Sequence, residues 1–252
     1  MSYEQFRDQV VFISGAAGGF GTLLSDKLAA AGARLILTDR NAETLELLAG
    51  RLKAAGADLI AQPADITQES EVESVLKNGI ERFGRLDIAI NNAGLATPMK
   101  SFVDTEEAEM DLHFAVNTKG VFFGMKHQLR QMLTQDRGCI LNIASMAGIG
   151  AGPKLASYTA AKHAVVGLTR TAAVEYAAKN IRVNAICPFY SPTAMVTDSM
   201  GDDLQAFLAN GSPMKRLGKP EEMVAAMLSV CSPDNGYLTG QAIPVDGGLS
   251  AF

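Results

Sequence analysis

Residues 10–21 read VVFISGAAGGFG, an apolar run followed at once by a glycine-rich turn. The run VVFIS has the length and the β-branched residues of a strand buried inside a parallel sheet. The turn leads directly into a helical pattern, and its glycines, in the spacing GxxxGxG, would let the backbone approach a diphosphate closely. The free N–H groups and the dipole at the start of that helix favour the same anion. We therefore predict a nucleotide-binding turn built from Gly15, Gly18, Gly19, Phe20 and Gly21.

Short apolar runs alternate with longer amphipathic stretches beyond this turn, which indicates βαβ units and a parallel sheet buried on both faces. The predicted strands are residues 10–14, 34–39, 59–64, 86–91, 139–144, 182–187 and 242–245. The predicted helices are residues 19–31, 41–55, 68–83, 105–134 (as two helices), 157–178 and 220–230. No linker or repeat interrupts the pattern, so we expect residues 1–252 to form a single α/β domain with a doubly wound sheet of seven strands.

One segment departs from this alternation. Residues 189–219 mix prolines and glycines with apolar side chains, and long irregular insertions in compact domains are usually functional. We predict that residues 189–215 form a lid over a site.

The composition excludes several classes of protein. With 48% hydrophobic residues, 19% charged residues and a net charge of −5, the chain is typical neither of a disordered protein nor of a general nucleic-acid binder. Three scattered cysteines suggest a reducing, cytoplasmic setting, and no apolar run is long enough to span a membrane. His113, His127 and His163 share no metal-ligand spacing, so we expect packing or surface roles for them and no metal.

Asp39 ends the second predicted strand, 18 residues after Gly21. An acidic residue there would accept hydrogen bonds from an adenosine ribose and repel the extra phosphate of NADP, which favours NAD. Arg40 follows and could pair with that phosphate, so NADP stays open as the less favoured cofactor. The structural alternative is that Asp39 caps the helix that begins near Asn41.

Further polar residues follow the third and fourth predicted strands, where a parallel sheet binds ligands. They are Asp65, Asn91, Asn92 and Gly94. Taken singly, Asp65 could be a helix cap and Gly94 a turn glycine, but their common sheet edge favours binding.

Tyr158 and Lys162 stand four residues apart in a predicted helix, so both project from one face about 6 Å apart along the axis. We expect the ammonium to lower the pKa of Tyr158 towards neutrality, which would make the phenol an acid/base. The alternative is a solvated lysine beside a packing tyrosine. Ser145 follows the fifth strand and could hold a substrate oxygen, although most serines there are turn residues.

Taken together, these motifs resemble the short-chain dehydrogenase/reductase family over nearly the whole chain. The matching segments are the glycine turn, Asp65-Ile66-Thr67, residues 91–94, the set Asn117, Ser145, Tyr158 and Lys162, and residues 239–248. The resemblance implies a Rossmann-type sheet of strand order 3-2-1-4-5-6-7 and a homotetramer.

The resemblance also assigns roles to the matching side chains. Tyr158 would exchange a proton with the substrate oxygen, to which Ser145 would donate a hydrogen bond. Lys162 would bind the nicotinamide ribose, and Asn117 would position a water that links Lys162 to solvent.

The chain departs from the family pattern after the sixth strand, where residues 188–193 read PFYSPT. Phe189 stands in place of the usual glycine, and Ser191 in place of an apolar residue whose backbone meets the carboxamide. Thr193 still matches, and we count Ser191 and Thr193 as cofactor-binding candidates.

The function that these features favour is an NAD-dependent oxidoreductase that interconverts a small, fairly hydrophobic secondary alcohol and its ketone. One alternative is a reductase of 3-oxoacyl thioesters on acyl carrier protein. Another, from a different class, is a nucleotide-sensing protein without turnover.

Overall fold

The sheet has the predicted topology. The computed structural model describes residues 3–197 and 201–251, and within them seven parallel strands form one sheet of order β3-β2-β1-β4-β5-β6-β7. The strands are β1 (Val10–Ser14), β2 (Arg34–Thr38), β3 (Leu59–Ala61), β4 (Ile88–Asn91), β5 (Gly138–Ile143), β6 (Ile181–Pro188) and β7 (Ala242–Val245). Both the fold class and the strand order are confirmed.

β3 and β4 are shorter than predicted by two or more residues, and β2 is shorter by one. β3 ends at Ala61, although the N–H groups of Gln62 and Ala64 still donate to the carbonyls of Leu37 and Asp39 beyond it. β4 begins at Ile88 because the peptide groups of Leu86 are bonded elsewhere: its N–H donates to Gln135 Oε1, and its carbonyl accepts from Gln135 Nε2. The side chain of Gln135 thus replaces a neighbouring strand.

Helices cover both faces of the sheet. They are α1 (Gly19–Ala30), α2 (Ala42–Ala54), α3 (Glu69–Phe83), α4 (Glu107–His113), α5 (Gly120–Gln135), α6 (Ala156–Tyr176), α7 (Ala194–Thr197), α8 (Asp202–Gly211) and α9 (Pro220–Cys231). One hydrophobic core packs the sheet against α1, α2 and α9, and a second packs it against α3, α5 and α6. Among the helices of residues 3–197 and 201–251, none is long and apolar enough to cross a membrane.

The segment predicted as two helices over 105–134 is instead one continuous helical run. A π-helix (Phe114–Lys119) joins α4 to α5 without a loop. π-helical turns are rare and are found frequently at functional sites. This turn contains Asn117.

The predicted lid contains regular structure that the sequence reading missed. α7 and α8 both lie between residues 189 and 215, and the apolar residues Leu204, Phe207 and Leu208 recur at helical spacing in α8. Residues 198–200 of the predicted lid lie outside the described residues.

Candidate active site

The glycine-rich turn is fastened to the neighbouring strand β4. Gly15 has φ +62°, and a Cβ atom there would lie 2.8 Å from the Cα of Ala93. The Ser14 hydroxyl accepts the backbone N–H groups of Asn92 and Ala93, both at 3.2 Å. The Asn92 amide in turn donates to the carbonyls of Ser14 and Gly15. A side chain at Gly15 would therefore collide with the backbone that holds the turn.

Two further glycines make room at the start of α1. A Cβ on Gly21 would lie 2.0 Å from the carbonyl oxygen of Gly15, and one on Gly19 would lie 2.8 Å from the side chain of Thr193. Backbone therefore approaches backbone at this helix N-terminus. The predicted lid begins against it, because Thr193 sits directly on Gly19.

Asp39 binds the turn rather than the helix that follows it. Its Oδ2 accepts the N–H of Ala17 at 3.0 Å and its Oδ1 accepts the N–H of Asn41 at 3.0 Å. The N-cap of α2 is Asn41, whose side chain accepts the N–H of Thr44. The alternative in which Asp39 caps this helix is therefore wrong. Its carboxylate lies beside the glycine turn, and Arg40 is exposed.

The candidate residues that follow β3 and those at the end of β4 lie in different surroundings. Asp65 Oδ1 accepts the N–H of Thr67, and Ile66 packs on Gly120, where a Cβ would come within 2.5 Å of it. Asn91 is only 3% exposed, and its amide donates both hydrogens inside the protein.

The partners of Asn91 are Gln128 on α5 and Asn142 on β5, and its oxygen accepts from Gln128. The structure thus places this side chain in a buried network between sheet and helices. It does not support the expectation that Asn91 contacts a cofactor.

Ser145, Tyr158 and Lys162 come together where β5 ends. Lys162 is 4% exposed, and its Nζ donates to the carbonyl oxygen of Ile143 at 2.8 Å. The same Nζ lies 5.6 Å from the centre of the Tyr158 ring. Ser145 accepts the N–H of Ala147 at 3.1 Å and hydrogen-bonds to Tyr158. The alternative of a solvated lysine is excluded by this burial.

The pocket shifts both titratable groups towards their neutral forms. Burial raises the pKa of Tyr158 to about 12, against the opposing effect of the Ser145 hydroxyl. Burial also lowers the pKa of Lys162 to about 8. A desolvated site penalises phenolate and ammonium alike. The expectation that the pKa of Tyr158 falls towards neutrality is therefore wrong, because burial raises it.

Asn117 lies beneath this cluster and is fully buried. Its Oδ1 accepts the N–H of Leu95 at 2.9 Å, and its Nδ2 donates to the carbonyl of Leu95 at 2.9 Å. A Cβ on Gly94 would lie 3.0 Å from Asn117 Oδ1 and 3.5 Å from Lys162 Nζ. Gly94 thus keeps open the narrow space that separates the amide from the ammonium.

His113, for which the sequence predicts a packing or surface role, is a neighbour of this cluster. It is fully buried, it bonds to Asn117 and Thr97, and its ring meets the Tyr158 ring edge-on with centroids 5.7 Å apart. Its place four residues before Asn117 in a helical pattern was the available signal. Within the described residues, no group of three or more His, Cys, Asp or Glu side chains could hold a metal ion.

The unusual segment after β6 is held from two sides. The N–H of Phe189 donates to the carbonyl of Val245, and the N–H of Gly218 donates to the carbonyl of Tyr190. Phe189 lines a cavity of about 120 Å³ that it shares with Met214 and Met223. The Phe189 ring, which stands where the family has glycine, thus lies in a cavity that is also lined by residues 245–247 near the C-terminus.

The hydroxyl of Ser191 is buried and has no hydrogen-bond partner among the described residues. Buried hydroxyls are nearly always paired, so this one marks a place for a polar ligand group. The glycine turn and the carboxylate of Asp39 add a close backbone approach and an acceptor. These features together fit a dinucleotide.

The chain is similar to known proteins over most of its length. A family model described as Enoyl-(Acyl carrier protein) reductase matches residues 15–250. Levodione reductase of Leifsonia aquatica is 38% identical over 260 residues, covering 98% of this chain and 96% of its own. Cis-4-hydroxycyclohexanecarboxylate dehydrogenase of Sinomonas cyclohexanicum is 35% identical over 248 residues, covering 98% and 99%.

A third relative is the 3-oxoacyl-(acyl-carrier-protein) reductase of Thermotoga maritima, which is 34% identical over 241 residues and covers 96% of this chain and 97% of its own. A crystal structure of levodione reductase superposes with a TM-score of 0.93 at 37% identity, covering 98% of this chain and 99% of that one. The chain belongs to the short-chain dehydrogenase/reductase family of oxidoreductases.

Proposed function

We propose that this oxidoreductase uses NAD(H) to interconvert a secondary alcohol and a ketone, with Tyr158 as the acid/base. The observation that carries the proposal is the buried cluster at the end of β5, in which Lys162 Nζ lies 5.6 Å from the Tyr158 ring centre beside the Ser145 hydroxyl. Such a cluster binds an oxygen and moves a proton. Relatives in the family use NAD or NADP, and the bound nicotinamide supplies or accepts the hydride.

Each member of the cluster has a proposed task. A raised pKa keeps Tyr158 protonated at neutral pH, so its hydroxyl can give a proton to a carbonyl oxygen that is becoming an alkoxide. Ser145 donates a hydrogen bond to the same oxygen. Lys162 stabilises the phenolate left behind, and it can exchange protons near neutral pH because its own pKa is about 8. Asn117 holds the path from Lys162 to solvent.

The cofactor site is proposed along the carboxyl edge of the sheet. Asp39 is the group that favours NAD, because its carboxylate beside the turn would repel the 2′-phosphate of NADP. Asn91 supports the sheet instead of touching the cofactor. The residues proposed to hold NAD are Gly15, Gly18, Gly19, Phe20, Gly21, Asp39, Asp65, Ile66, Asn92, Gly94, Tyr158, Lys162, Ser191 and Thr193.

The proposed substrate is small and fairly hydrophobic. We propose that residues 1–252 form a single domain and that residues 189–215 form the lid over its substrate site. Met195, Phe207 and Met214 of this segment are 45%, 72% and 56% exposed, which supports an apolar cover. The name of the Sinomonas cyclohexanicum relative describes a secondary alcohol on a six-membered ring. A cyclic alcohol or ketone is therefore the first substrate class to test.

A second candidate is reduction of a 3-oxoacyl thioester on acyl carrier protein. The Thermotoga maritima relative and the description of the matching family favour it. Two features argue against it. The net charge of −5 would repel an acidic carrier protein, and the carboxylate of Asp39 would repel the 2′-phosphate of NADPH. A nucleotide sensor without turnover is disfavoured, because it would not need a buried Tyr158–Lys162 pair.

The proposed setting is a cytoplasmic homotetramer with no nucleic-acid or membrane partner. Cys139, Cys187 and Cys231 are free and buried, as in a reducing compartment. Helices α5 and α6 expose Phe122, Leu133 and Val174, which are apolar groups that assembly would cover.

The decisive experiment is a panel of cyclic and linear secondary alcohols, their ketones and an acetoacetyl thioester, each assayed with the four nicotinamide cofactors. We expect turnover of a cyclic pair, with kcat/KM at least about tenfold higher for NADH than for NADPH. Preference for the thioester with NADPH would favour the second candidate. NAD binding without turnover of any compound would favour the sensor.

A further inference from the structure

His113 is the last residue of α4 and lies where the catalytic cluster meets the loop after β4. We propose that His113 is a positioning residue: as a neutral ring protonated only on Nε2, it holds Asn117 and Thr97 in place behind Tyr158. A second proton on the ring breaks this arrangement and stops turnover. The part of this inference that concerns turnover rests on the proposed function.

The hydrogen bonds of Asn117 fix the tautomer of His113. The Asn117 oxygen faces the N–H of Leu95 and its nitrogen faces the carbonyl of Leu95, so the amide cannot be reversed. Its Nδ2 therefore has a hydrogen for His113 Nδ1, 3.0 Å away, and that ring nitrogen must be the acceptor. The proton of the ring is left on Nε2, which lies 3.0 Å from the hydroxyl of Thr97.

The second bond ties the ring to the loop over residues 92–101. Thr97 is held by Nε2, and one helical turn earlier Glu109 accepts the ammonium of Lys100 at 2.7 Å. Lys100 also donates its backbone N–H to the carbonyl of Lys154, just before α6. α4 thus anchors the loop at two points, and the loop touches the segment that leads to Tyr158.

The ring also packs against the catalytic phenol. The His113 and Tyr158 rings meet at 81° with centroids 5.7 Å apart, which is a favourable edge-to-face arrangement. One neutral ring therefore contacts Tyr158 by its edge, Asn117 by one nitrogen and the substrate-side loop by the other. Loss of its position would disturb three elements of the site together.

The charged surroundings favour the neutral ring. The titratable groups that face His113 are Glu109 on its own helix and Tyr158 and Lys162 on α6. Burial lowers the pKa of His113, Lys162 acts in the same direction and Glu109 opposes them. A proton added at Nδ1 would point at the Asn117 donor, with no acceptor there to receive it.

Three substitutions test the two hydrogen bonds of the ring. His113→Asn keeps an oxygen near the position of Nδ1 that can accept from Asn117, but it does not titrate. His113→Leu removes both polar contacts. Thr97→Val removes only the partner of Nε2, and it keeps the test usable if changes at His113 weaken folding. His163→Asn and His163→Leu are matched controls, because His163 is exposed on α6.

The measurements are kcat and KM for ketone reduction from pH 5 to pH 8, NADH affinity, and melting temperature. We expect kcat to fall about tenfold in His113→Leu and only about threefold in His113→Asn, with NADH affinity changed less than about twofold. Wild-type kcat should decline as the pH falls below 6.5, and this decline should be absent from His113→Asn. The His163 controls should match the wild type.

The inference would be overturned if the decline of kcat at acidic pH persisted unchanged in His113→Asn. It would also be overturned if His113→Asn and His113→Leu lost kcat equally. If the wild type turns over no alcohol or ketone, the proposed function fails, and the arrangement is then judged on stability. The melting temperature should drop more between pH 7 and pH 5 in the wild type than in His113→Asn, because the buried ring resists protonation. Equal drops would overturn it.

Discussion

The ammonium of Lys162 donates a 2.8 Å hydrogen bond to the carbonyl oxygen of Ile143, the last residue of β5. The lysine is thus held by the end of the sheet while its Nζ lies below the Tyr158 ring. Burial, more than a direct ion pair, determines the protonation of both groups. The pH dependence of stability should therefore report on this pocket.

Replacing Lys162 with Met should remove a pH-dependent component of folding stability. The pKa of Lys162 falls from 10.5 to about 8 on folding, so the unfolded chain binds more protons between these values. Wild-type stability relative to the variant should rise as the pH rises from 8 to 10 and be lost as it falls back. Denaturant unfolding at several pH values measures this, and a difference that stays constant would contradict the burial of the ammonium.

Gly15→Ala should destabilise the protein by about 2 kcal/mol or more, because φ is +62° and the added methyl group meets the backbone of Ala93. The matched control is Gly50→Ala on the exposed face of α2, where a Cβ meets nothing within 4 Å. This change should stabilise the protein by about 0.5–1 kcal/mol. Thermal unfolding compares the two, and equal effects would argue against the strained turn.

Asp39→Ala should reduce the preference for NAD over NADP by at least about tenfold, because the repulsion of a 2′-phosphate is removed. Since Asp39 also accepts the N–H of Ala17, the variant could loosen the turn as well. Asp39→Asn removes the charge and keeps one of the two acceptor oxygens, so its oxygen can still accept the N–H of Ala17. The ratio of kcat/KM for the two cofactors should fall in both variants, and a wild type that is faster with NADPH would refute the role of Asp39.

Ser191→Ala should leave the melting temperature of the protein alone unchanged or slightly raised, because the lost hydroxyl has no partner among the described residues. NADH affinity should fall about threefold to tenfold if this hydroxyl bonds the cofactor. Calorimetric titration and thermal unfolding give the two readings. A marked drop in the melting temperature without loss of affinity would assign Ser191 a structural role.

Much of the fold could be predicted because buried parallel strands leave unmistakable apolar runs. β1 and β7 have the predicted bounds, and the other strands differ by a few residues at their ends. The shifts depend on contacts distant in sequence, such as the side chain of Gln135 that bonds the peptide groups of Leu86. Local pattern cannot contain that information.

The sequence could predict which residues lie near one another in the candidate site, but not the direction of their pKa shifts. Spacing places Tyr158 and Lys162 on one helix face, yet their pKa shifts depend on the depth of the pocket. The sequence favours Asn91 over His113 as a site residue, because Asn91 ends a predicted strand at the edge where a parallel sheet binds ligands. Only the hydrogen bonds show that the His113 ring lies behind the cluster of Ser145, Tyr158 and Lys162, whereas the Asn91 side chain ties the sheet to α5.

The most direct test of the central proposal is the kcat of Tyr158→Phe in ketone reduction with NADH. Phenylalanine keeps the ring that packs against His113 and removes only the hydroxyl that would donate the proton. We expect kcat to fall at least about a hundredfold while NADH affinity and melting temperature stay close to wild type. More than about 5% of wild-type activity in this variant would contradict Tyr158 as the acid/base.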